Sequence, residues 1–385
     1  MSLPLLPVCQ PSLPKAENIL PYLQQMDENK WYTNFGPLLN EFLLRIGTLF
    51  QVEKQHVMSG TNGTLLLELC LKALKIQPGT LCILPSWTFA ATPLAVMAAK
   101  LEPLFVDVDL QTQAIDPEKL LNDLPTLSKM GKIGSVIVIA PFGQPVNVQA
   151  WDKFTEITGI PVIIDAAAAF DTLLQDPVMR VGRTPMMVSM HATKVFGVGE
   201  GGLLFSTNEN LISDMVCLTQ FGFPPGIRNT HLLGTNAKLS EYVAAVGLTA
   251  LDRWNETRTS WLSLINQYQT GFKKAGLQHM LSSQWATSTC NVIFPFQADA
   301  FSNALYKDGI STRKWWGDGC HLMPAFQGCK RTELKNTDFL RQSVLGLPLY
   351  LDMGTKEIMR VLDSIFSTCQ NKRLQVLQQR HEYQL

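Results

Sequence analysis

Ser135-Val-Ile-Val-Ile139, followed by Ala140-Pro141, and then Ile160-Pro-Val-Ile-Ile-Asp165 decide the fold. Both runs are short, apolar and β-branched, both end at a turn or acidic residue, and the sequence between them is long enough for one helix. Strand, crossover helix, strand is the unit of a parallel sheet. The same pattern recurs upstream at Cys82-Ile-Leu84 and Leu104-Phe-Val106. Outside the carboxyl ends of strands in open α/β sheets lies the usual place for a ligand, so Asp107, Pro141 and Asp165, which follow three of these runs, are positions to inspect. Thr64–Leu74 and Leu239–Trp254 have helical periodicity. The second of these marks the passage from a large domain, residues 1–250 with an N-terminal arm, to a smaller α+β domain, residues 251–385. In that smaller part Asn291-Val-Ile-Phe reads as a strand and Gly309-Ile-Ser-Thr-Arg313 as a helix-to-strand corner. From Gln370 onward the chain is polar and reads as a helical or frayed end.

The 385 residues are 46% hydrophobic and 17% charged, a balance suited to a well-buried protein that also covers surface against a second copy. Thirty-two basic residues offset thirty-two acidic ones, which leaves no bulk charge to attract nucleic acid or an anionic membrane. Eight scattered cysteines, Cys9, Cys70, Cys82, Cys217, Cys290, Cys320, Cys329 and Cys369, include no CxxC pair, so no metal site is expected and they read as reduced core thiols. Met1–Pro14 lacks the basic start of a secretory signal, and no apolar run approaches the ~20 residues of a membrane span. The expected location is cytoplasmic.

Four short segments carry chemistry. Ser59-Gly-Thr-Asn-Gly-Thr64 opens a helical stretch, where free backbone N–H groups and the helix dipole favour an anion; read alone, it is equally a turn and N-cap. It lacks the Gly-Lys-Ser/Thr ending of a nucleotide-phosphate loop. Pro85-Ser-Trp-Thr-Phe89 places aromatic side chains after a strand, where one can lie on a flat ring, a contact worth roughly 1 kcal/mol beyond burial, or simply fill the core. Asp165, ahead of Ala166–Ala169, is an acid that burial makes costly without a cationic partner such as a protonated pyridine nitrogen; capping the next helix is the alternative. Ser189-Met-His-Ala-Thr-Lys194 leads through Val195-Phe196 to Gly197-Val-Gly-Glu-Gly-Gly202. A lysine in so uncharged a setting loses basicity and gains nucleophilicity toward an aldehyde, unless it is an ordinary exposed loop lysine.

In order and separation these segments resemble the DegT/DnrJ/EryC1/StrS family of sugar-nucleotide aminotransferases, enzymes dependent on pyridoxal phosphate (PLP). The resemblance extends from Trp31-Tyr-Thr-Asn-Phe-Gly-Pro37 through Ser-Gly-Thr, Pro-Ser-Trp-Thr-Phe, His-Ala-Thr-Lys and Gly-Glu-Gly-Gly. It continues in Gly234-Thr-Asn-Ala-Lys-Leu-Ser-Glu241, Gly309-Ile-Ser-Thr-Arg313 and Leu347-Pro-Leu349.

The resemblance implies PLP fold type I, like aspartate aminotransferase, with a mostly parallel seven-stranded sheet between helices. It implies that Lys194 joins PLP as a Schiff base, that Asp165 pairs with the pyridine nitrogen, and that Phe89 stacks on the ring. Gly60, Thr61, Asn62 and Ser189 would hold the phosphate, and Asn236 would reach the phosphate of the neighbour in a homodimer. Many relatives carry His or Gln three residues after the aspartate; Ala168 stands there in this chain, so that contact is lost or supplied differently. The implied reaction passes an amino group from L-glutamate, through the pyridoxamine phosphate form, to a nucleotide-linked 4-keto-6-deoxyhexose such as dTDP-4-keto-6-deoxyglucose, a step suited to lipopolysaccharide O-antigen biosynthesis. Arg313, Trp315, Trp316 and His321 are candidates for sugar-nucleotide contacts, with packing in the small domain as the equal alternative. A 3-keto acceptor, a sugar dehydratase, or a PLP-binding protein without catalysis are the other functions compatible with the fold. Lys194 argues against the dehydratases, which carry histidine at that position.

Overall fold

A computed structural model describes residues 4–224 and 226–382, with side chains described through Gln370. The four apolar runs are strands β2 (Leu81–Pro85), β3 (Glu102–Val106), β4 (Ile133–Ile139) and β5 (Val162–Asp165). With β1 (Val57–Gly60), β6 (Met186–Ser189) and β7 (Gly202–Phe205) they form a sheet in the order β1-β7-β6-β5-β4-β2-β3. Helices cover both faces, so nearly every strand residue is buried and the runs are continuously apolar instead of alternating.

Every pairing among β6, β5, β4, β2 and β3 is parallel, while β7 runs antiparallel to both β1 and β6. The carboxyl ends of β1, β2, β4, β5 and β6 therefore lie on one edge together with the start of β7. Ser59–Asn62, Ser86–Phe89, Pro141, Asp165 and Ser189–Gly202 all sit at that edge. An eighth strand, β10 (Lys330–Arg331), comes from the C-terminal part and pairs in parallel with β3, extending the expected seven-stranded sheet.

The second sheet is antiparallel, in the order β11 (Val344–Leu347), β9 (Cys290–Ile293), β8 (Gln278–His279). Helices Ala298–Lys307 and Thr355–Glu382 accompany it, the latter carrying the polar C-terminal stretch on to Glu382. Gly309, at φ +71°, turns the corner after the first of these helices, but Arg313 makes only an isolated bridge to Gly346 and no strand forms. Leu6 bridges Ile310 and the Leu349 amide donates to Val8 O at 3.1 Å, so the N-terminal arm lies along this second unit. The stretch Leu239–Trp254 contains the helix Glu241–Asp252, and after Arg253 a second helix, Trp254–Ala275, follows.

Asp107 has a structural task. Its carboxylate accepts from the amides of Asn336 and Thr337 at 2.7 and 2.8 Å and from Thr337 Oγ1 at 2.8 Å, capping the helix Lys335–Ser343 across the chain. Glu241 does the same for the helix Pro37–Phe50, accepting from the Leu38 and Leu39 amides at 2.8 and 3.0 Å. That contact joins two of the family-like motifs, Trp31–Pro37 and Gly234–Glu241. Cys70, Cys82, Cys217, Cys290 and Cys320 are buried free thiols. Among the described residues no helix is long and apolar enough to cross a membrane, and no cluster of metal-ligating side chains occurs.

Candidate active site

Lys194 rides on a turn between β6 and β7 that the backbone closes rung by rung. Met190 N donates to Gly201 O, Val198 N to Met190 O, and Ala192 N to Gly199 O, all at 2.8 to 2.9 Å, and Lys194 N donates to His191 O at 2.9 Å. Gly199, at φ +105°, adopts a conformation that a side chain would strain. Behind the lysine, Val195 and Phe196 are buried, with the Phe196 ring stacked on Phe170 at 4.2 Å. His191 Nδ1 meets Thr193 Oγ1 at 2.8 Å and His191 Nε2 lies 3.6 Å from Glu200, which stiffens the turn further.

Asp165 ends β5 and is 7% exposed. It does not cap a helix: the next one begins at Phe170 behind Ala169. Thr92 Oγ1 donates to Asp165 Oδ2 at 2.8 Å, and the Ala167 amide donates to Oδ1 at 3.2 Å. Burial pushes this carboxyl up; the Thr92 hydroxyl, the Ala167 amide and the Lys194 charge push it back down. Burial likewise lowers the Lys194 amine, against the opposing charge of Asp165. A buried acid and a desolvated amine thus act on each other at the ends of adjacent strands.

The third part is the start of the helix Gly63–Ala73. Asn62 Oδ1 caps it, accepting from the Leu65 amide at 2.8 Å, and the Thr61 amide donates to Ala237 O at 3.0 Å. Those two groups are spent within the chain. The amides of Gly63 and Thr64 head the helix as first-turn donors, with Ser189 alongside: a Cβ on Gly63 would lie 3.6 Å from Ser189 Cβ and only 2.6 Å from Met187 Sδ. Glycine lets the helix end lie directly against β6; a larger residue would have to displace the Met187 side chain. Ser189 Oγ accepts from the His191 amide at 3.2 Å, which ties it to the lysine turn.

Phe89 is 60% exposed, whereas its neighbour Trp87 is buried, its indole N–H donating to Gln113 at 3.0 Å. Asn236 is exposed beside Lys238, whose Nζ donates to Asn236 Oδ1 at 2.6 Å. Ala237, which receives the Thr61 amide, is the next residue. The four small-domain candidates divide. Arg313 lies over the Trp315 ring at 5.2 Å with its side chain toward solvent. Trp316 is buried, stacked on Phe142 at 3.9 Å and edge-on to Trp87. His321 is also buried, its Nδ1 2.7 Å from Ser86 Oγ. For Trp316 and His321 the packing alternative describes where they lie.

Thr88 and Thr92 are the site residues that the motif reading passed over. Both are buried; Thr92, in the helix Ala91–Ala98, bonds Asp165, 73 residues away in sequence, and Thr88, just before that helix, bonds Thr92.

A desolvated amine, a buried carboxylate bonded to neutral donors, and a helix start lined by glycine suit a group that carries an aldehyde, a basic ring nitrogen and a phosphate. A model of the DegT/DnrJ/EryC1/StrS aminotransferase family matches residues 14–366. The chain belongs to that family. It is a PLP-dependent aminotransferase, and the residues at the strand ends have the chemistry that PLP requires. Among its relatives is Protein Rv3402c of Mycobacterium tuberculosis, 27% identical over 94% of this chain and 90% of that one. The dTDP-4-amino-4,6-dideoxy-D-glucose transaminase of Shigella dysenteriae is 27% identical over 94% of this chain and 97% of its own length. The crystal structure of DesI in the presence of its TDP-sugar product is 27% identical and superposes with a TM-score of 0.83, covering 99% of this chain and 96% of that one.

Proposed function

We propose that the protein transfers an amino group from L-glutamate to C4 of a nucleotide-linked 4-keto-6-deoxyhexose, with dTDP-4-keto-6-deoxyglucose as the preferred acceptor. The observation that carries the reading is the placement of Lys194, on the turn that follows β6, next to the end of the adjacent strand β5, where Asp165 is buried. The full-length likeness to the Shigella transaminase and to DesI supports the choice of sugar nucleotide.

PLP, when bound, supplies an aldehyde that accepts amines and a ring that absorbs the electron pair left at an α-carbon. The remaining tasks fall to side chains of this chain. Lys194 Nζ is the nucleophile toward the aldehyde, because burial keeps more of it uncharged than an exposed lysine would be. Displaced by the donor amine, Nζ is a base placed to take the α-proton and to return it one carbon away; a positioned base contributes about 100-fold or more. Asp165 would hold a proton on the ring nitrogen by charge. Ser189, the Thr61 hydroxyl, the Asn62 Nδ2 and the backbone at Gly60, Gly63 and Thr64 would hold the phosphate, while Phe89 would cover one face of the ring. Ala168 offers no polar contact to the cofactor, and Thr92 bonds Asp165.

Arg313 and Trp315 are the sugar-nucleotide contacts we favour, with Trp316 and His321 acting from beneath through packing. A homodimer completes the site with Asn236 of the second copy. Exposed Trp31, Tyr32 and Tyr242, with the two tyrosine rings stacked, and Leu233 at 91% exposure near Asn236 form apolar surface for such a partner. A cytoplasmic location accords with the reduced thiols.

The test is an assay of the PLP-loaded protein with L-glutamate and a panel of 3-keto and 4-keto deoxysugar nucleotides, with products assigned by NMR. Amination at C4 of the dTDP sugar is expected. An amine at C3, loss of a hydroxyl without amination, or no turnover with any member would overturn the proposal.

A further inference from the structure

Asp165 ends a hydrogen-bonded line of side chains, Thr88 to Thr92 to Asp165. Thr92 has one hydroxyl proton, and it goes to Asp165 Oδ2 at 2.8 Å. The contact of 3.1 Å between Thr88 Oγ1 and Thr92 Oγ1 must then be donated by Thr88. Both threonines are buried, at 1% and 0% exposure, so no water competes for these bonds.

The backbone around Thr88 is held from outside the large sheet. Cys320 N donates to Ser86 O at 2.9 Å, His321 N to Ser86 Oγ at 3.0 Å, and Cys320 Sγ to Thr88 O at 3.3 Å. Burial pushes the Cys320 thiol up to about 12, so it remains an S–H donor. Four contacts, counting His321 Nδ1 to Ser86 Oγ, thus clamp the loop that carries Thr88 and Phe89.

Asp165 has few other neighbours that could set its charge. Ile139 of β4 and Met187 of β6 flank it in the sheet and are apolar; the Ala167 amide comes from its own loop. Lys194, from the β6–β7 turn, is the charged group acting on it among the described residues. On forming its bond to PLP that lysine ceases to be a free ammonium counter-charge. The threonine line remains.

The geometry points to Thr92, backed by Thr88, as the positioning residue that fixes the Asp165 carboxylate in one orientation and keeps it ionised for the ring nitrogen of PLP. The inference rests on the reading that Asp165 meets that nitrogen. Charge-assisted bonds in low-dielectric surroundings are strong, and chains of them polarise one another. Without the Thr92 hydroxyl, Asp165 Oδ2 is stranded, its affinity for a proton rises, and the proton shared with the ring nitrogen moves toward the carboxylate.

The decisive experiment is ¹⁵N NMR of the wild-type, Thr92→Val and Thr92→Ser proteins loaded with PLP labelled at the pyridine nitrogen. The nitrogen signal reports directly whether that atom carries the proton. In Thr92→Val the signal should move toward the unprotonated position, with kcat falling about 10- to 100-fold, the equivalent of one hydrogen bond to a charged group, and KM for the sugar nucleotide unchanged. Thr92→Ser should restore both, and Thr88→Val should move the signal less but in the same direction. An unchanged nitrogen signal in Thr92→Val overturns the inference, whatever happens to activity. Asp165→Asn separates the two failures: if it too leaves the signal unchanged, the pairing of Asp165 with the nitrogen is wrong. If only Thr92→Val is silent, the pairing stands and the threonine line falls. Thermal unfolding of the cofactor-free variants identifies any that fail to fold, and Thr88→Val then carries the test.

Discussion

Replacing Arg258 by Met should destabilise the protein strongly without touching the PLP site. Asp171 is fully buried on the helix Phe170–Gln175, and Arg258 Nε meets both of its carboxylate oxygens, at 2.8 and 2.9 Å. The Ala286 amide adds a bond to Oδ2 at 2.7 Å, and Arg258 Nη2 donates to Gln284 O at 2.7 Å. One ion pair therefore fastens three pieces: the helix after the Asp165 loop, the long helix Trp254–Ala275, and the loop entering β9. Methionine retains much of the packing of the arginine stem but leaves Asp171 with no cation. Breaking such a pair costs about 3–5 kcal/mol, because the remaining charge stays buried. At roughly 1–2 °C per kcal/mol for a chain of this size, the melting temperature should fall by about 3–10 °C.

The pH dependence checks the cause. Burial already holds the Asp171 carboxyl above its ordinary range, and loss of Arg258 removes a group that lowers it. A folded-state pKa raised above the unfolded one favours the folded state at low pH and ceases to do so as pH rises through the folded value. The deficit of Arg258→Met should therefore be greatest near neutral pH and shrink on acidification, as the stranded carboxyl, raised still further by loss of the guanidinium, takes a proton. Asp171→Asn combined with Arg258→Met should recover most of the loss. Calorimetric melting of the cofactor-free protein over that pH range is the assay. A melting temperature within about 1 °C of wild type at pH 7.5, or a deficit that grows on acidification, would refute the reasoning.

Asp107→Ala removes the cap of the helix Lys335–Ser343 and should cost about 1–2 kcal/mol in thermal unfolding, with Asp107→Asn losing less. Gly63→Ala puts a methyl group 2.6 Å from Met187 Sδ beside Ser189, so PLP binding measured by equilibrium dialysis should weaken by about 10-fold, the effect of a shift of roughly 1.4 kcal/mol. His321 is buried and held neutral below its ordinary range, chiefly by desolvation, with Arg331 and Arg341 lowering it and Asp338 and Asp107 opposing. A depressed folded pKa gives stability that is present above about 6.5 and lost as pH falls below it, so melting temperature should drop on acidification from 7 to 5, and His321→Asn should flatten that drop.

The parallel sheet was legible because β2 to β5 bury both faces, which favours runs of apolar residues such as Val136–Ile139 and Val162–Ile164. β1, β6 and β7 are four residues each and contain Ser, Gly and Met, so they carry no comparable signal, although β6 and β7 bracket Lys194. The carboxyl ends of strands were the right places to look, yet the three residues flagged there have different tasks. Asp165 lies beside Lys194, Pro141 opens a turn, and Asp107 caps a helix more than two hundred residues away. Contacts of that kind are invisible to periodicity. The same holds for Thr92 on Asp165 and Arg258 on Asp171, where a neutral hydroxyl and a helix-surface arginine look ordinary until the fold brings their partners in. Burial of Trp316 and His321 was equally unreadable, since an aromatic and an imidazole suit a substrate surface and a domain seam alike.

The central claim concerns one covalent link. Freshly purified protein should be reduced with borohydride in the presence of PLP, digested, and mapped by mass spectrometry, with Lys194→Ala treated in parallel. The phosphopyridoxyl group should be found on Lys194 in the wild type, and the folded Lys194→Ala protein should carry none and turn over no substrate. A label on another lysine, or an unlabelled and still active wild type, would contradict the account.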